Sequence, residues 1–212
     1  MAKYSKLLIC LILTQNILFS QSIITDVSRD KSGNILKIEY FNTSFKKVKL
    51  IKVETYFSNG QLQMVESYQG DIKNGDFFEY FKNGKIKSKG YYLDGNANGI
   101  WSDYYNSGEV ERMYYSNKNG KHGSLNEWYE NGQKKKSGGY KDGKKNGIWI
   151  SWYENDLKES MLTYNNGKKE GVFIFYFKNG NKKSEGVYDY LGNIEKRCWD
   201  ENGKPVKCLD FK

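Results

Sequence analysis

Residues 128–152 read WYENGQKKKSGGYKDGKKNGIWISW. The stretch holds an aromatic pair, an Asn-Gly step, a return segment ending on Tyr140, an Asp-Gly step, then Gly147 and Trp149. The same order recurs along the chain with a period of 24 residues. One glycine set falls at Gly60, Gly84, Gly108, Gly132 and Gly180, with Asp156 at the missing position. A second set is Gly75, Gly99, Gly123, Gly147 and Gly171. Between them stands a tyrosine at 68, 92, 140, 164 and 188; in the repeat beginning at Ile100 it slips to Tyr115, and the loop SNKNGKHG absorbs the shift. A fixed period of this length is the mark of stacked supersecondary units.

Each unit reads as a β-hairpin. The segments between glycines are too short for helices, and Asn-Gly at 59–60, 83–84, 131–132 and 179–180 predicts type I′ turns, which need two residues with positive φ. Asp156 should then also hold a positive φ. Two strands per unit give about 10 Å of sheet per repeat. The expected fold is all-β: an elongated, single-layer, twisted antiparallel sheet of tandem 24-residue hairpins.

Three ring columns follow from the period. The first is Phe77, Trp101, Leu125, Trp149 and Phe173. The second is Tyr56, Tyr80, Tyr104, Trp128, Trp152 and Tyr176, and the third is its chain neighbour, from Phe57 to Phe177. Side chains alternate faces along a strand, so the second and third should point to opposite sides unless a bulge intervenes. The columns serve first to stack one hairpin on the next. An exposed aromatic face in a soluble protein marks a partner site, and Tyr80, Tyr104, Trp128, Trp152 and Tyr176 are the candidates.

Composition agrees with such a sheet. Aromatic residues make up 16% of 212 residues while all hydrophobic residues reach only 38%. Large rigid rings can supply the buried area that Leu, Ile and Val supply elsewhere. With 22 glycines and one proline, Pro205, the turns are glycine turns.

Residues 1–20 stand apart. Lys3 and Lys6 precede an apolar run from Leu7 to Phe19, followed by Ser20, Gln21 and Ser22. This is the pattern of a secretory signal peptide, cut near Ser20–Gln21. The run is shorter than the roughly 20 residues of a membrane span. Cys10 lies inside it, but the residue before it, Ile9, is not the small residue a lipid-attachment site uses. The expected location is secreted, periplasmic or otherwise in the cell envelope. Removing Lys3 and Lys6 takes the net charge from +9 to +7. In an exported protein that excess fits a solvated lysine surface, or anionic lipid or acidic glycan, and not nucleic acid. Lys134, Lys135 and Lys136, with Lys182 and Lys183, form a candidate basic patch in the later repeats, where earlier copies have Ile86 and Val110. Export leaves Cys198 and Cys208, which are expected to form a structural disulfide in an oxidising compartment.

The remaining organisation is a cap over 21–52, irregular at 23–34 and holding a worn half-repeat from Ser32-Gly33 onward, hairpin repeats over 53–192, and a C-terminal cap over 193–212.

Tyr140-KDGKKNGIW, Tyr164-NNGKKEGVF and Tyr92-LDGNANGIW resemble the MORN repeat, and the Tyr-Tyr-x-Asn-Gly element between them resembles its bacterial variant, some of whose members are labelled antitoxin-like. The resemblance covers about residues 53–203 and departs at Asp156, Leu125 and the 114–123 loop. It implies a β-hairpin array for protein–protein or membrane-associated scaffolding.

Chemistry is sparse. His122 is the one histidine, placed in that irregular loop, so no triad or multi-histidine metal site can form. No phosphate-binding loop, nucleophile elbow or calcium loop is present, and no cofactor is expected. Glu79, Asp103 and Glu127 recur at the 24-residue spacing, which fits a structural polar column better than an acid and base in different environments. The chain is therefore expected not to be an enzyme. Two readings remain: a scaffold that binds a protein partner along its aromatic face, or an envelope module that recognises glycan or anionic lipid through Tyr, Trp and Lys.

Overall fold

The computed structural model describes residues 23–43 and 48–208, so the expected signal peptide and Cys10 lie outside the described residues. Every described element is a strand. Strand order follows chain order in one antiparallel sheet of sixteen strands with no crossover. By compactness the chain divides after Gly108 into two units. The first holds β1 Ile23–Arg29, β2 Ile35–Asn42, β3 Lys49–Tyr56, β4 Leu62–Gln69, β5 Ile72–Tyr80, β6 Ile86–Leu93 and β7 Asn96–Tyr104. The second holds β8 Val110–Asn117, β9 Gly120–Trp128, β10 Lys134–Lys141, β11 Lys144–Trp152, β12 Lys158–Asn165, β13 Lys168–Tyr176, β14 Lys182–Tyr188, β15 Ile194–Trp199 and β16 Pro205–Val206.

The type I′ turns are not at the Asn-Gly steps where the sequence predicts them. At Asn83-Gly84 only the glycine has positive φ, 81°, and Gly84 N–H donates to the Phe81 carbonyl while Phe81 N–H donates to that of Lys85. That is a type I turn followed by a glycine bulge, not type I′. Asn59, Asn131 and Asn179 are likewise absent from positive φ. The asparagine serves through its side chain: Asn83 Oδ1 accepts the Lys85 N–H at 3.0 Å, an Asx turn that closes the loop. Type I′ geometry sits at the other ends of the strands, where Asp94-Gly95, Asp142-Gly143 and Asn166-Gly167 each have two positive φ values. Asp156 does adopt φ 64°. Asp156→Gly should therefore raise the unfolding free energy by roughly 0.5–1 kcal/mol in chemical denaturation, because glycine enters this region without a Cβ clash.

Three further expectations change. Residues 23–29 form β1, which pairs with β2 from Ile23↔Asn42 onward; backbone pairing overrides its polar composition. The 114–123 segment is no irregular loop but an ordinary hairpin of β8 and β9, and His122 lies on β9, 3.5 Å from the Asp142 carboxylate. The repeat does not slip there, because the bulge between Tyr114 and Ser116 stands where the one between Leu162 and Tyr164 does. Ser116, facing Lys121, occupies the place that Tyr140 and Tyr164 hold opposite Lys145 and Lys169, and Tyr115 points outward, 41% exposed.

The second glycine set marks bulges inside strands. Between β10 and β11 the register shifts from Ser137↔Ile150 to Gly139↔Asn146, and Gly147 sits in the shift with φ 79°. The bulge lays Trp149 across Gly138, where an added Cβ would come within 2.2 Å of the indole. Trp149 is 4% exposed, its Nε1 donates to the Gly139 carbonyl at 3.0 Å, and Tyr140 packs edge-on at 5.1 Å. The first ring column is thus the core of each unit, with Trp101 over Gly90 in the first. Residue sizes alternate across it: Tyr114 faces Leu125, Leu125 faces Gly138, and Trp149 and Phe173 both face Leu162. Leu125, which departs from the ring pattern, is the most deeply buried of the column because Tyr114 fills the space opposite.

In the first unit a carboxylate cluster ties β2 to β3. Glu54 accepts hydrogen bonds from Tyr40 Oη at 2.6 Å, Lys52 Nζ at 2.9 Å and Tyr56 Oη at 2.7 Å. Burial opposes ionisation, but the three donors outweigh it and hold the Glu54 carboxyl below its usual 4.5. Burial and the bond to Glu54 push Tyr56 up to about 12. A depressed acid stabilises the fold above its unfolded pKa and loses that contribution as pH falls through the lower folded value. Unfolding free energy should therefore decline as pH drops below about 4.5, and Glu54→Gln should flatten that part of a denaturation series.

Candidate functional site

The lysines facing the core have a role that the sequence reading missed. Lys145 Nζ lies 4.5 Å from the Trp149 ring and 4.9 Å from that of Tyr164; Lys121 lies 4.5 Å from Tyr114, and Lys169 lies 5.6 Å from Tyr188. These are cation–π contacts of about 0.5–2 kcal/mol each, more where water is excluded. Burial lowers the Lys145 pKa. The 19-residue interval from Lys to Tyr was the available signal, and it shows only once facing strands are aligned.

The candidate basic patch does not gather on one surface. Lys134 lies over Trp152 at 5.8 Å and Lys135 over Tyr129 at 5.5 Å, while Lys136 approaches Glu127 at 3.9 Å. Lys182 pairs with Glu185 at 2.7 Å, and Lys183 lies over Phe177 at 5.7 Å. Neighbours in each run reach different rings because the strand alternates its faces.

The second and third ring columns meet through the bulge that the sequence left open. Register shifts fall between Ser151 and Trp152 and between Phe175 and Tyr176. Two third-column tyrosines then reach the backbone of the second-column residue one repeat on: Tyr129 Oη donates to the Trp152 carbonyl at 2.7 Å, and Tyr153 Oη to that of Tyr176 at 2.8 Å. Burial raises both phenol pKa values. Tyr80 stacks on Phe78 at 6.5 Å, and Tyr104 receives Lys89 at 5.5 Å. Trp128 is half-buried at the end of β9.

Of the five candidate face residues, Tyr176 lines a cavity, a groove of about 510 Å³ in the second unit. Its rings are Tyr153, Phe173, Phe175, Tyr176 and Tyr188, and its charged residues are Lys169, Lys183, Lys196 and Glu159. Cys198 also lines the groove and is disulfide-bonded to Cys208 as expected, with Cα atoms 5.3 Å apart. Among the described residues no three His, Cys, Asp or Glu side chains gather as metal ligands.

Residues 73–94 and 169–190, one stretch in each unit, both match the MORN repeat variant family. The protein is a MORN-repeat protein. MORN repeats generally act as modules for interaction with proteins or membranes. The second match covers β13, β14 and with them most of the groove's rings. No curated protein matches the chain. Among solved structures it is similar to a chain of the TcdB2-TccC3-Cdc42 structure, at 11% identity and a TM-score of 0.26, over 84% of this protein and 11% of that chain. The TcdB2-TccC3 structure is similar at 12% identity and a TM-score of 0.25, over 83% and 11%. A Bacteroides fragilis protein of unknown function is similar at 8% identity and a TM-score of 0.16, over 88% of both chains. The MORN-repeat protein spans about a ninth of the length of the first two.

Proposed function

We propose that this MORN-repeat protein is an exported, non-catalytic interaction module that holds a polypeptide partner on the ring-lined groove of its second unit. The observation that supports this reading most is the groove itself. Five rings line one concavity whose members Tyr153, Phe175, Tyr176 and Tyr188 stay half-exposed while the core rings beneath are covered. Aromatic residues in a partly desolvated concavity are what interface centres are made of. Export is supported by the charged and apolar start of the sequence, and the Cys198–Cys208 bond fits an oxidising compartment.

A pull-down from envelope extract at low and physiological salt tests the function. Retention of the same protein at both is expected, since ring burial is not screened. Binding that collapses at physiological salt, together with capture of anionic lipid or polysaccharide and no protein, would instead favour an anionic lipid or glycan surface. Thiol titration of the exported form should find no free cysteine, and reduction should cost roughly 2–3 kcal/mol of stability. Two titratable thiols would remove the oxidising-compartment reading.

A further inference from the structure

We infer that the groove of the second unit takes an acidic polypeptide segment, with its carboxylates at the lysines and an apolar side chain between the rings. This rests on the reading above that the partner is a polypeptide.

The inference starts from one row of facing residues. In the first unit Glu79 faces Ser88, which faces Asp103. In the second, Arg112 faces Glu127, and the row continues through Lys136, Ser151, Ser160 and Phe175 to Ser184. On β5, β7 and β9 this position is a carboxylate, and each is engaged nearby. Glu79 binds Lys87 at 2.7 Å, Asp103 accepts from Ser88 Oγ at 2.7 Å, and Glu127 approaches Lys136 at 3.9 Å. On β11 the position is Ser151, bonded to Ser160 at 2.6 Å. On β13 it is Phe175, and there the groove lies.

The groove therefore has a ring where three other repeats have an acid. Its lining set of Lys169, Lys183, Lys196 and Glu159 has a formal charge of three minus one, or +2. A ligand carboxylate would restore the charge pattern that those repeats build internally, in a concavity where charge complementarity steers and orients a partner. The ring geometry favours a peptide over a sugar. Phe173 is 3% exposed and tilted by 53° to Phe175 and by 48° to Tyr188, so these rings offer cleft walls and no flat platform. A Leu or Phe side chain fits such a cleft, and the volume lies in the usual range for ligand sites, about 300–1,000 Å³.

The test uses the folded, disulfide-bonded chain and fluorescence anisotropy. The probe is a labelled twelve-residue peptide, Glu-Leu-Glu-Phe repeated about three times, beside its Gln counterpart, with polygalacturonate as competitor. The acidic peptide should bind about tenfold or more tighter than the Gln form and resist polygalacturonate. Phe175→Glu, which supplies the carboxylate internally, should weaken binding about tenfold. Ser151→Glu makes the same charge change in the row outside the groove and should leave binding within about twofold. Should Phe175→Glu fail to fold, Lys169→Gln with Lys183→Gln should give the same loss of binding in a chain that stays folded, though less stable for want of the two cation–π contacts. Equal binding of both peptides, unaltered binding by the lysine variant, or displacement by polygalacturonate would overturn the inference. Capture of an envelope partner that persists in these variants would overturn the groove assignment and leave the interaction reading in place. No capture by the unaltered chain would overturn that reading itself.

Discussion

Trp149→Ala should lower the unfolding free energy by about 3–5 kcal/mol, the usual range for removing a buried large ring. The indole is 4% exposed, lies against Gly138, holds Tyr140 and Tyr164 edge-on and receives Lys145 over its face. Alanine would remove all of these together and strand the Gly139 carbonyl that now accepts from Nε1. The sheet cannot collapse to refill the space, because Gly138 contributes no side chain opposite. The loss should appear in denaturant unfolding followed by near-ultraviolet circular dichroism. A loss below about 1 kcal/mol would mean that the ring column is not the core.

The second large effect approaches the same contact from the other strand. Gly138→Ala places a methyl where the indole already lies and should cost roughly 2–4 kcal/mol, somewhat above the usual overpacking range because the obstruction is a rigid ring. Leu125, which lies opposite Tyr114, shows how the fold meets this demand naturally. Trp149→Leu should therefore recover part of the Gly138→Ala loss, and the double variant should be more stable than the summed single effects by about 1 kcal/mol or more. Additive losses would show that size complementarity across the strands is not the governing constraint.

The hairpin period, the ring columns and the disulfide were legible in the sequence because turn glycines, rings and cysteines sit at fixed offsets. The turn types were not. Asn-Gly suits both a two-residue I′ turn and a type I turn with a glycine bulge, and the choice depends on which flanking residues pair, as Phe81 with Lys85. β1 was missed because Thr25, Asp26 and Ser28 hide a strand that pairing with β2 stabilises. The slip assigned to Tyr115 was a substitution, Ser116 for tyrosine, offset by Tyr114 opposite Leu125. That compensation can be seen only across strands. The site was half legible. Tyr176 came from the column, whereas Phe175, Lys169 and Tyr188 joined it only when the register placed them around one groove.

On the proposed function the half-exposed rings of the groove serve binding, while the buried rings such as Phe173 serve the fold. Tyr176→Ala, measured in parallel for envelope-partner capture and unfolding free energy, separates the two most directly. Capture should fall at least about tenfold while stability drops by no more than about 2 kcal/mol, in keeping with a half-buried ring. Undiminished capture by a folded Tyr176→Ala chain would contradict the account.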